Sequence, residues 1–394
     1  MRIAYVCADP GIPVFGRKGG SVHVQEVMRA LTKTGARVEI LAARLGGSAP
    51  ADIADVAVIE VPVGPSGDAA ARERACLDAN RGMAAALRER GPFDFVYERQ
   101  SLFGFAGMEY ARESGVPGLL EVNAPLVLEQ EIYRELVDRA AAEEATRRAF
   151  AAASAVLCVS RELAAQLERE TAARGRVHVV RNGVDPDRFP ADIAPARARE
   201  AGEFVVGFVG SLKPWHGLPV LAEAFELFSV RQPRARLLVV GDGEGRRQLE
   251  EEMSSRGLET KAVFAGAVLP AEVPRWLASM DAAAAPYPRL SNFYFSPLKL
   301  YEYMAAGLPI VASRVGQIAE AIEDGRTGLL CPPGDAKAFA TAFETLARNE
   351  DLRIRLGEAA RKDVLRNHTW ASVAERILEI AERARAAPMT EART

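Results

Sequence analysis

Three residues in the segment 293–313 are suited to binding a nucleotide. Ser296, Lys299 and Glu302 lie at or shortly after the start of a predicted helix. Free backbone amides at a helix start attract phosphate, and the ammonium group of Lys299 would add a full positive charge. Glu302 follows one turn later, and its carboxylate can accept hydrogen bonds from both hydroxyl groups of a ribose. The spacing predicts a nucleotide-binding site at this helix.

The flanking residues favour a helix followed by a buried strand. Pro297 fixes φ at a value suited to the first helical turn, and Leu298 begins the apolar positions of the helix. Gly307 is placed to end the helix, and residues 309–312 form a short apolar run typical of a parallel strand. Because this order occurs in any α/β domain, a purely structural role is the alternative for this segment taken alone.

This segment resembles the donor-binding segment of the retaining glycosyltransferases of family GT4, which have the GT-B fold. The family pattern is a Glu, seven residues and a second Glu, and Glu302 matches the second. Tyr294 stands at the position of the first, so the family's carboxylate contact to the donor sugar is missing here. The resemblance implies donor binding by Ser296, Pro297, Leu298, Lys299 and Glu302.

The loop 210–217 (GSLKPWHG) follows an apolar strand pattern and matches a family loop that binds the diphosphate. Ser211 and His216 occupy the two positions where the family has Arg and Lys. Lys213 in this loop and Lys299 are the cations left to offset the charge of a diphosphate without a metal ion. The alternative for Lys213 is an ordinary solvated loop position.

Two pairs of glycines also match family positions. By the resemblance, Gly241 and Gly243 form a turn below the nucleotide, although turn chemistry alone explains them. Gly19 and Gly20 lie between the first strand and the first helix, where the absence of a Cβ lets a ligand approach the backbone. In the family this pair lies against the diphosphate or the acceptor; a tight turn is the alternative. The dinucleotide fingerprint is absent, which makes NAD a weak candidate.

Polar residues follow several predicted elements of the N-terminal half. Ser21 and His23 come after the glycine pair, Arg99 ends one strand, and Glu121 and Asn123 end another. Carboxyl ends of parallel strands meet at one edge of a sheet, so we expect these side chains at the same crevice. The resemblance places them on the acceptor side, with Asn123 or Glu121 near the reacting sugar. Alternatives are a simple Arg99–Glu121 ion pair and a solvated His23.

Alternating strand and helix patterns predict an α/β protein with two doubly wound, Rossmann-like domains, which in GT-B enzymes face a central crevice. Periodicity lapses between residues 186 and 203, where we place the linker. The predicted domains are residues 1–195, on the acceptor side, and residues 196–369, which bind the nucleotide-sugar donor. The last helix, about residues 370–386, resembles the helix that packs back on the first domain in GT-B enzymes, with Trp370 as its anchor.

Composition excludes several classes of protein. The chain of 394 residues has 50 basic and 53 acidic residues and a net charge of −3, which argues against a nucleic-acid partner. The four cysteines are far apart, which predicts free thiols, a reducing compartment and no metal cluster. We find neither an export signal nor a transmembrane segment and expect a cytoplasmic protein, with weak attachment to a membrane surface as an open alternative.

The resemblance implies a retaining transfer of a sugar from a nucleoside diphosphate sugar to an acceptor hydroxyl, in glycan, glycolipid or metabolite synthesis. It implies no cofactor, and the residues expected to act in catalysis are Lys299, Lys213, Asn123 and Glu121. A nucleotide-sugar 2-epimerase of the same fold is one alternative. A non-catalytic nucleotide-sugar binding module is another, because Tyr294, Ser211 and His216 replace charged residues of the family.

Overall fold

The computed structural model describes residues 1–64, 67–290 and 293–386. The strands are β1 Arg2–Cys7, β2 Arg37–Ala42, β3 Ala57–Glu60, β4 Phe95–Arg99, β5 Gly118–Val122, β6 Ala155–Cys158, β7 Val177–Val179, β8 Phe204–Val209, β9 Ala235–Val240, β10 Ala262–Gly266, β11 Ala282–Ala285, β12 Ile310–Ser313 and β13 Leu329–Cys331. The helices are α1 Gly19–Lys33, α2 Ala69–Arg90, α3 Ala106–Glu113, α4 Leu126–Tyr133, α5 Arg139–Ala152, α6 Arg161–Leu167, α7 Leu218–Arg231, α8 Arg246–Ser255, α9 Val273–Leu277, α10 Leu298–Ala305, α11 Gly316–Ala321, α12 Ala336–Arg348, α13 Glu350–Asn367 and α14 Trp370–Ala386.

The chain divides into two compact units, and each contains one parallel sheet. The first unit comprises Met1–Arg181 and the chain from Trp370 onward, and the second comprises Asn182–Thr369. Strand order is β3-β2-β1-β4-β5-β6-β7 in the first sheet and β10-β9-β8-β11-β12-β13 in the second. In both sheets the order reverses beside the first strand of the unit, which is where ligands bind in such sheets. The predicted class, α/β with two doubly wound sheets, is confirmed.

The central strands are buried because their sequences are continuous apolar runs. A parallel sheet covered by helices on both faces requires such strands. All of β8 and β11 is buried, and β1 is buried from Ile3 to Cys7. The second unit contains an apolar cluster with Phe208 and Phe225 and another with Tyr301 and Tyr303. These rigid layers fix the positions of the loops at the strand ends.

The division between the units differs from the predicted domain boundary. Residues 182–195, which sequence patterns assigned to the first domain, belong to the second unit. Val184 pairs with Thr369 and its amide donates to the carbonyl of His368 at 2.9 Å. Val184 and Phe189 are buried in an apolar cluster of the second unit. These two apolar residues lie among Pro, Asp and Arg, so the local pattern does not reveal their burial.

The last helix, α14, belongs to the first unit and packs on α1. Trp370 at its start is buried, and its ring contacts that of His23 edge to face at a centroid distance of 5.3 Å. Within the described residues, none of the helices has the length and apolar character that crossing a bilayer requires.

Candidate active site

The predicted donor-side residues lie on loops after β8, β9 and β11 and at the start of α10, at the carboxyl edge of the second sheet. The loops are tied together by backbone hydrogen bonds, including those from Gly210 to Val240 at 2.9 Å and from Leu212 to Asp242 at 3.2 Å. Such an edge, next to the reversal of strand order between β8 and β11, is the usual ligand site of this architecture.

Two glycines allow this close approach of the loops. Gly210 has φ 152° and Gly241 has φ 130°, values that residues with a Cβ rarely adopt. A Cβ on Gly241 would lie 2.0 Å from the carbonyl oxygen of Gly210, and a Cβ on Gly210 would lie 2.7 Å from Nζ of Lys299. Turn geometry fully accounts for Gly241, and the donor role of Gly241 and Gly243 stays a prediction.

Lys299 carries a buried ammonium group for which the described part of the chain provides no hydrogen-bond acceptor. Its side chain is 8% exposed, and Nζ lies 4.0 Å from the centre of the Phe208 ring and 5.7 Å from that of Tyr287. Burial lowers the pKa of Lys299 to about 7, although the charge of Glu302 partly opposes the shift. Burial of an unpaired cation costs free energy, and a bound anion that pairs with Lys299 would offset this cost.

The other predicted cation, Lys213, already has a partner. Its ammonium group lies 2.5 Å from a carboxylate oxygen of Glu244, on the loop after β9. Lys213 is partly exposed, and this ion pair offsets its charge. Lys299 is therefore better suited than Lys213 to receive a diphosphate.

His216 occupies a position that a cation takes in the resembling family, but it is neutral. The side chain is buried, and its Nδ1 accepts a hydrogen bond from the Lys213 amide at 3.4 Å. Burial, together with the nearby charges of Lys299 and Lys213, lowers the pKa of His216 to about 2. Ser211, in the same loop, is exposed. Neither residue supplies positive charge to the site.

The helix predicted from residue 297 is confirmed as α10, with Pro297 immediately before its first residue, Leu298. The chain then turns at Gly307, with φ 68°, and enters β12. Ser296 is held by Asn182, whose side-chain amide donates to the Ser296 carbonyl at 2.7 Å and whose backbone amide donates to the hydroxyl at 3.4 Å. Glu302 is half-buried one turn after Lys299.

Sequence reasoning missed the aromatic side chains around these residues. Trp215 comes from the loop after β8, and Phe293, Tyr294 and Phe295 come from the loop after β11. Tyr294, which replaces a family carboxylate, is buried, and its ring centroid lies 4.4 Å from that of Phe295. The unusual clustering of rings in FYF and PWH was the available signal.

In the first unit, the predicted acceptor-side residues form a buried network around Glu121. Arg99 donates to Oε1 of Glu121 at 2.6 Å, the Tyr97 hydroxyl donates to Oε2 at 2.5 Å, and the side-chain amide of Asn123 donates to Oε1. Nδ1 of His23 lies 3.5 Å from the same Oε1. We call these five residues the Glu121 network.

Burial alone would raise the pKa of Glu121, but the charges of His23 and Arg99 and the hydrogen bonds from Tyr97 and Asn123 lower it below its ordinary value. Glu121 is therefore an ionised group that orients its donors, because a carboxylate with a low pKa is a poor proton acceptor. The Arg99–Glu121 ion pair, considered above as an alternative, is present. The alternative of a solvated His23 is wrong, since Trp370 of α14 covers its ring.

The glycine pair forms the first two residues of α1 and is not part of a tight turn. A Cβ on Gly19 would have no atom of the described chain within 4 Å, and one on Gly20 would lie 3.3 Å from the side chain of Ile12. Among the residues that the structure describes, no side chain caps this helix start. Ser21 is buried and its hydroxyl has no hydrogen-bond partner within the described residues. Within the described residues, nothing in the packing requires glycine at position 19, and the approach of a ligand to this residue stays a prediction.

Two family models match the sequence. The model described as Glycosyltransferase Family 4 matches residues 17–188, and that described as Glycosyl transferases group 1 matches residues 203–349. The chain belongs to glycosyltransferase family 4. It is therefore a glycosyltransferase, and the predictions of family and of enzymatic activity are confirmed.

Curated relatives within this family are similar over nearly their full length. The D-inositol 3-phosphate glycosyltransferase of Pseudarthrobacter chlorophenolicus is 28% identical, with 93% of this chain and 91% of the relative covered. The protein of the same name from Xylanimonas cellulosilytica is 29% identical, with 93% and 92% covered.

Solved structures of glycosyltransferases share the fold. Sucrose-phosphate synthase from Thermosynechococcus elongatus superposes with a TM-score of 0.80 at 20% identity, covering 98% of this chain and all of that one. HepE from Anabaena, in complex with UDP and glucose, gives a TM-score of 0.76 at 19% identity, covering 97% of this chain and all of that one. The predicted GT-B fold is confirmed.

Proposed function

We propose that this family 4 glycosyltransferase takes a sugar from a nucleoside diphosphate sugar and transfers it to an acceptor hydroxyl with retention of anomeric configuration. The proposal rests on the environment of Lys299, whose buried ammonium group has no hydrogen-bond acceptor within the described chain. A diphosphate would supply that acceptor and would recover the free energy that burial of the charge costs.

The surrounding residues support this assignment of the diphosphate. Backbone amides at the start of α10 would add donors. The hydrogen bonds between Asn182 and Ser296 hold the preceding loop in place. Glu302 lies one turn further along α10 and is suited to the ribose hydroxyl groups. The complex of HepE with UDP and glucose makes UDP the first nucleotide to test.

In the proposed reaction, the acceptor oxygen forms a bond to the anomeric carbon while the bond from that carbon to the diphosphate breaks. The acceptor proton passes to an oxygen of the departing diphosphate on the same face of the sugar. Charge develops on the diphosphate, and Lys299 is placed to stabilise it. The protein then needs no nucleophile, which suits the ionised and fully engaged state of Glu121.

We propose that the acceptor binds in the first unit, near the exposed part of the Glu121 network. Asn123 is half-buried and Arg99 is held by Glu121, so both present fixed donors at the carboxyl edge of the first sheet. The backbone amides of Gly19 and Gly20, at the start of α1, would add donors for the acceptor. We further propose a reducing compartment such as the cytoplasm, because Cys7, Cys158 and the other cysteines are unpaired.

Calorimetric titration with UDP, ADP and GDP tests the donor site before any acceptor is known. We expect one of these nucleotides to bind the wild type and to bind Lys299→Met more weakly, whereas Lys337→Met, an exposed lysine of the same unit, should bind like the wild type. Equal binding to all three proteins would refute the assignment. Incubation of the matching nucleotide sugar without acceptor tests the epimerase alternative, since only an epimerase would convert it to its epimer.

A further inference from the structure

A layer of aromatic rings extends outward from Lys299 and has no part in the function proposed so far. The Tyr287 ring lies 5.7 Å from Nζ of Lys299, Phe293 packs on Tyr287 at 5.1 Å, and Phe295 packs on Phe293 at 5.4 Å, as measured between ring centroids. Tyr287 and Phe293 are buried, whereas Phe295 is partly exposed. The layer therefore runs from the proposed diphosphate position towards solvent.

At the outer end of this layer, Trp215 and Phe295 form a parallel pair. Their ring planes differ by 5° and their centroids are 6.0 Å apart. Both side chains are partly exposed, so aromatic surface remains accessible beside a binding edge. Lys213 adds a cation 5.8 Å from the Trp215 ring. We call this pair the Trp215–Phe295 platform.

The platform is held rigidly by the residues beneath it. His216, next to Trp215, is buried between Phe208 and Tyr287, each 5.7 Å away between ring centroids. Gly217 follows with φ 68°, and a Cβ there would lie 1.7 Å from the carbonyl oxygen of Pro286. The two loops are thus pressed together at a point where only glycine fits. Pre-organisation of this kind lowers the cost of ordering a binding surface.

We propose that the Trp215–Phe295 platform stacks against a ring of the donor, next to the diphosphate held by Lys299. This inference rests on the proposed function. Aromatic faces attract flat or apolar rings, and a nucleoside diphosphate sugar has one on either side of its diphosphate. The base and the sugar share this chemistry, so the choice between them is left to the experiment.

The experiment compares four probes of increasing length by calorimetry: pyrophosphate, a nucleoside monophosphate, the diphosphate and the nucleotide sugar. Each series uses uridine, adenosine and guanosine with glucose or mannose as the sugar. If the platform stacks on the base, Trp215→Ala should lose about five- to 150-fold in affinity for the mono- and diphosphate, because the stacking of one base on an aromatic ring contributes about 1–3 kcal/mol. Stacking on the sugar predicts a loss confined to the nucleotide sugar. Both predict unchanged binding of pyrophosphate.

Tryptophan fluorescence gives a second readout that does not depend on activity. The chain has three tryptophans, at positions 215, 276 and 370. Ligand binding should change the emission of the wild type and of Trp276→Phe, whereas the change should disappear in Trp215→Phe. Since phenylalanine keeps an aromatic face, Trp215→Phe should retain more affinity than Trp215→Ala. Phe295→Ala gives an independent test from the other loop, and thermal unfolding checks that each variant is folded.

The stacking role of the platform would be overturned if Trp215→Ala and Phe295→Ala bound every probe as tightly as the wild type does. The proposed function would then remain intact. An equal loss for pyrophosphate and for the longer probes would also overturn the stacking role, because the substitution would then act through the loop and not through stacking. If the wild type binds none of the probes, the proposed function fails, and this inference fails with it.

Discussion

Replacing Lys299 with Met should change stability and donor binding in opposite directions. Methionine keeps much of the length of the side chain in the pocket of Phe208 and Tyr287 but removes the charge. Most substitutions of a buried residue destabilise a protein. We expect this one to stabilise the ligand-free protein and to weaken binding of the nucleoside diphosphate.

The magnitude follows from the pKa of Lys299, which burial lowers from 10.5 to about 7. Each pKa unit corresponds to about 1.36 kcal/mol, so the buried charge costs on the order of 4–5 kcal/mol near pH 7. Since the folded pKa lies below the unfolded one, the unfolded chain binds more protons between pH 7 and 10.5. The stability of the wild type should rise with pH in this window as the cost disappears. The excess stability of Lys299→Met should therefore be largest at or below pH 7 and vanish near pH 10.5.

Binding should respond in the opposite sense because the diphosphate loses a charge-assisted hydrogen bond. Such a bond contributes about 1.5–3 kcal/mol, which corresponds to roughly 10- to 150-fold in the dissociation constant. At pH 8, binding to the wild type should also take up a proton, since the anion favours the charged form of Lys299. Calorimetry in two buffers with different ionisation enthalpies measures this uptake, and Lys299→Met should lack it.

Urea unfolding between pH 6 and 10, with Lys337→Met as the exposed control, measures the stability change. A Lys299→Met protein that is less stable than the wild type at pH 7 and binds nucleotide equally well would refute the reasoning. In that case the side chain of Lys299 would serve packing alone.

Further substitutions test the remaining parts of the site. Gly19→Ala should leave the fold intact or stabilise it by about 0.5–1 kcal/mol, because its Cβ meets open space, yet transfer rates should fall; undiminished turnover would contradict a ligand at α1. Glu302→Gln should weaken binding of UDP but not of pyrophosphate. The difference in affinity between the wild type and Glu302→Gln should be smaller for a 2′-deoxy nucleotide than for UDP. An equal loss of affinity for pyrophosphate would show that Glu302 does not act on the ribose. Glu121→Gln should lower the free energy of unfolding by about 3–5 kcal/mol, because Arg99 would keep a buried charge without a counterion. Tyr97→Phe, which removes one neutral donor from the same carboxylate, should cost only about 1–3 kcal/mol in the same urea titration; equal losses would mean that charge does not dominate the network.

The sequence predicts those features that depend on local patterns and on the general rules of parallel sheets. The helix α10 follows from Pro297 and Gly307 and the apolar spacing between them. The meeting of Arg99 and Glu121 follows from their places at the ends of two strands, since carboxyl ends of parallel strands share one edge. The two doubly wound sheets follow from the repeated alternation of strand and helix.

Features that join distant segments are not predictable in this way. The Trp215–Phe295 platform links loops after β8 and β11, and nothing in either segment specifies the geometry of the pair. The pairing of Lys213 with Glu244 depends on how closely the glycines let the β8 and β9 loops approach. His23 is covered by a residue near the opposite end of the chain, so its own helix gives no sign of burial.

The assembly of the first unit from both ends of the chain affects how the protein forms during synthesis. The buried face of α14, including Val373, Ile377 and Ile380, is made last, whereas the second unit is one uninterrupted stretch. At about 5–20 residues per second, a ribosome needs about 10–40 s to pass from residue 181 to residue 386. During that interval α1 has no α14 to cover it, and the second unit can complete its core first. The nascent N-terminal half therefore exposes apolar surface for longer than an N-terminal domain that is complete before the next domain is synthesised.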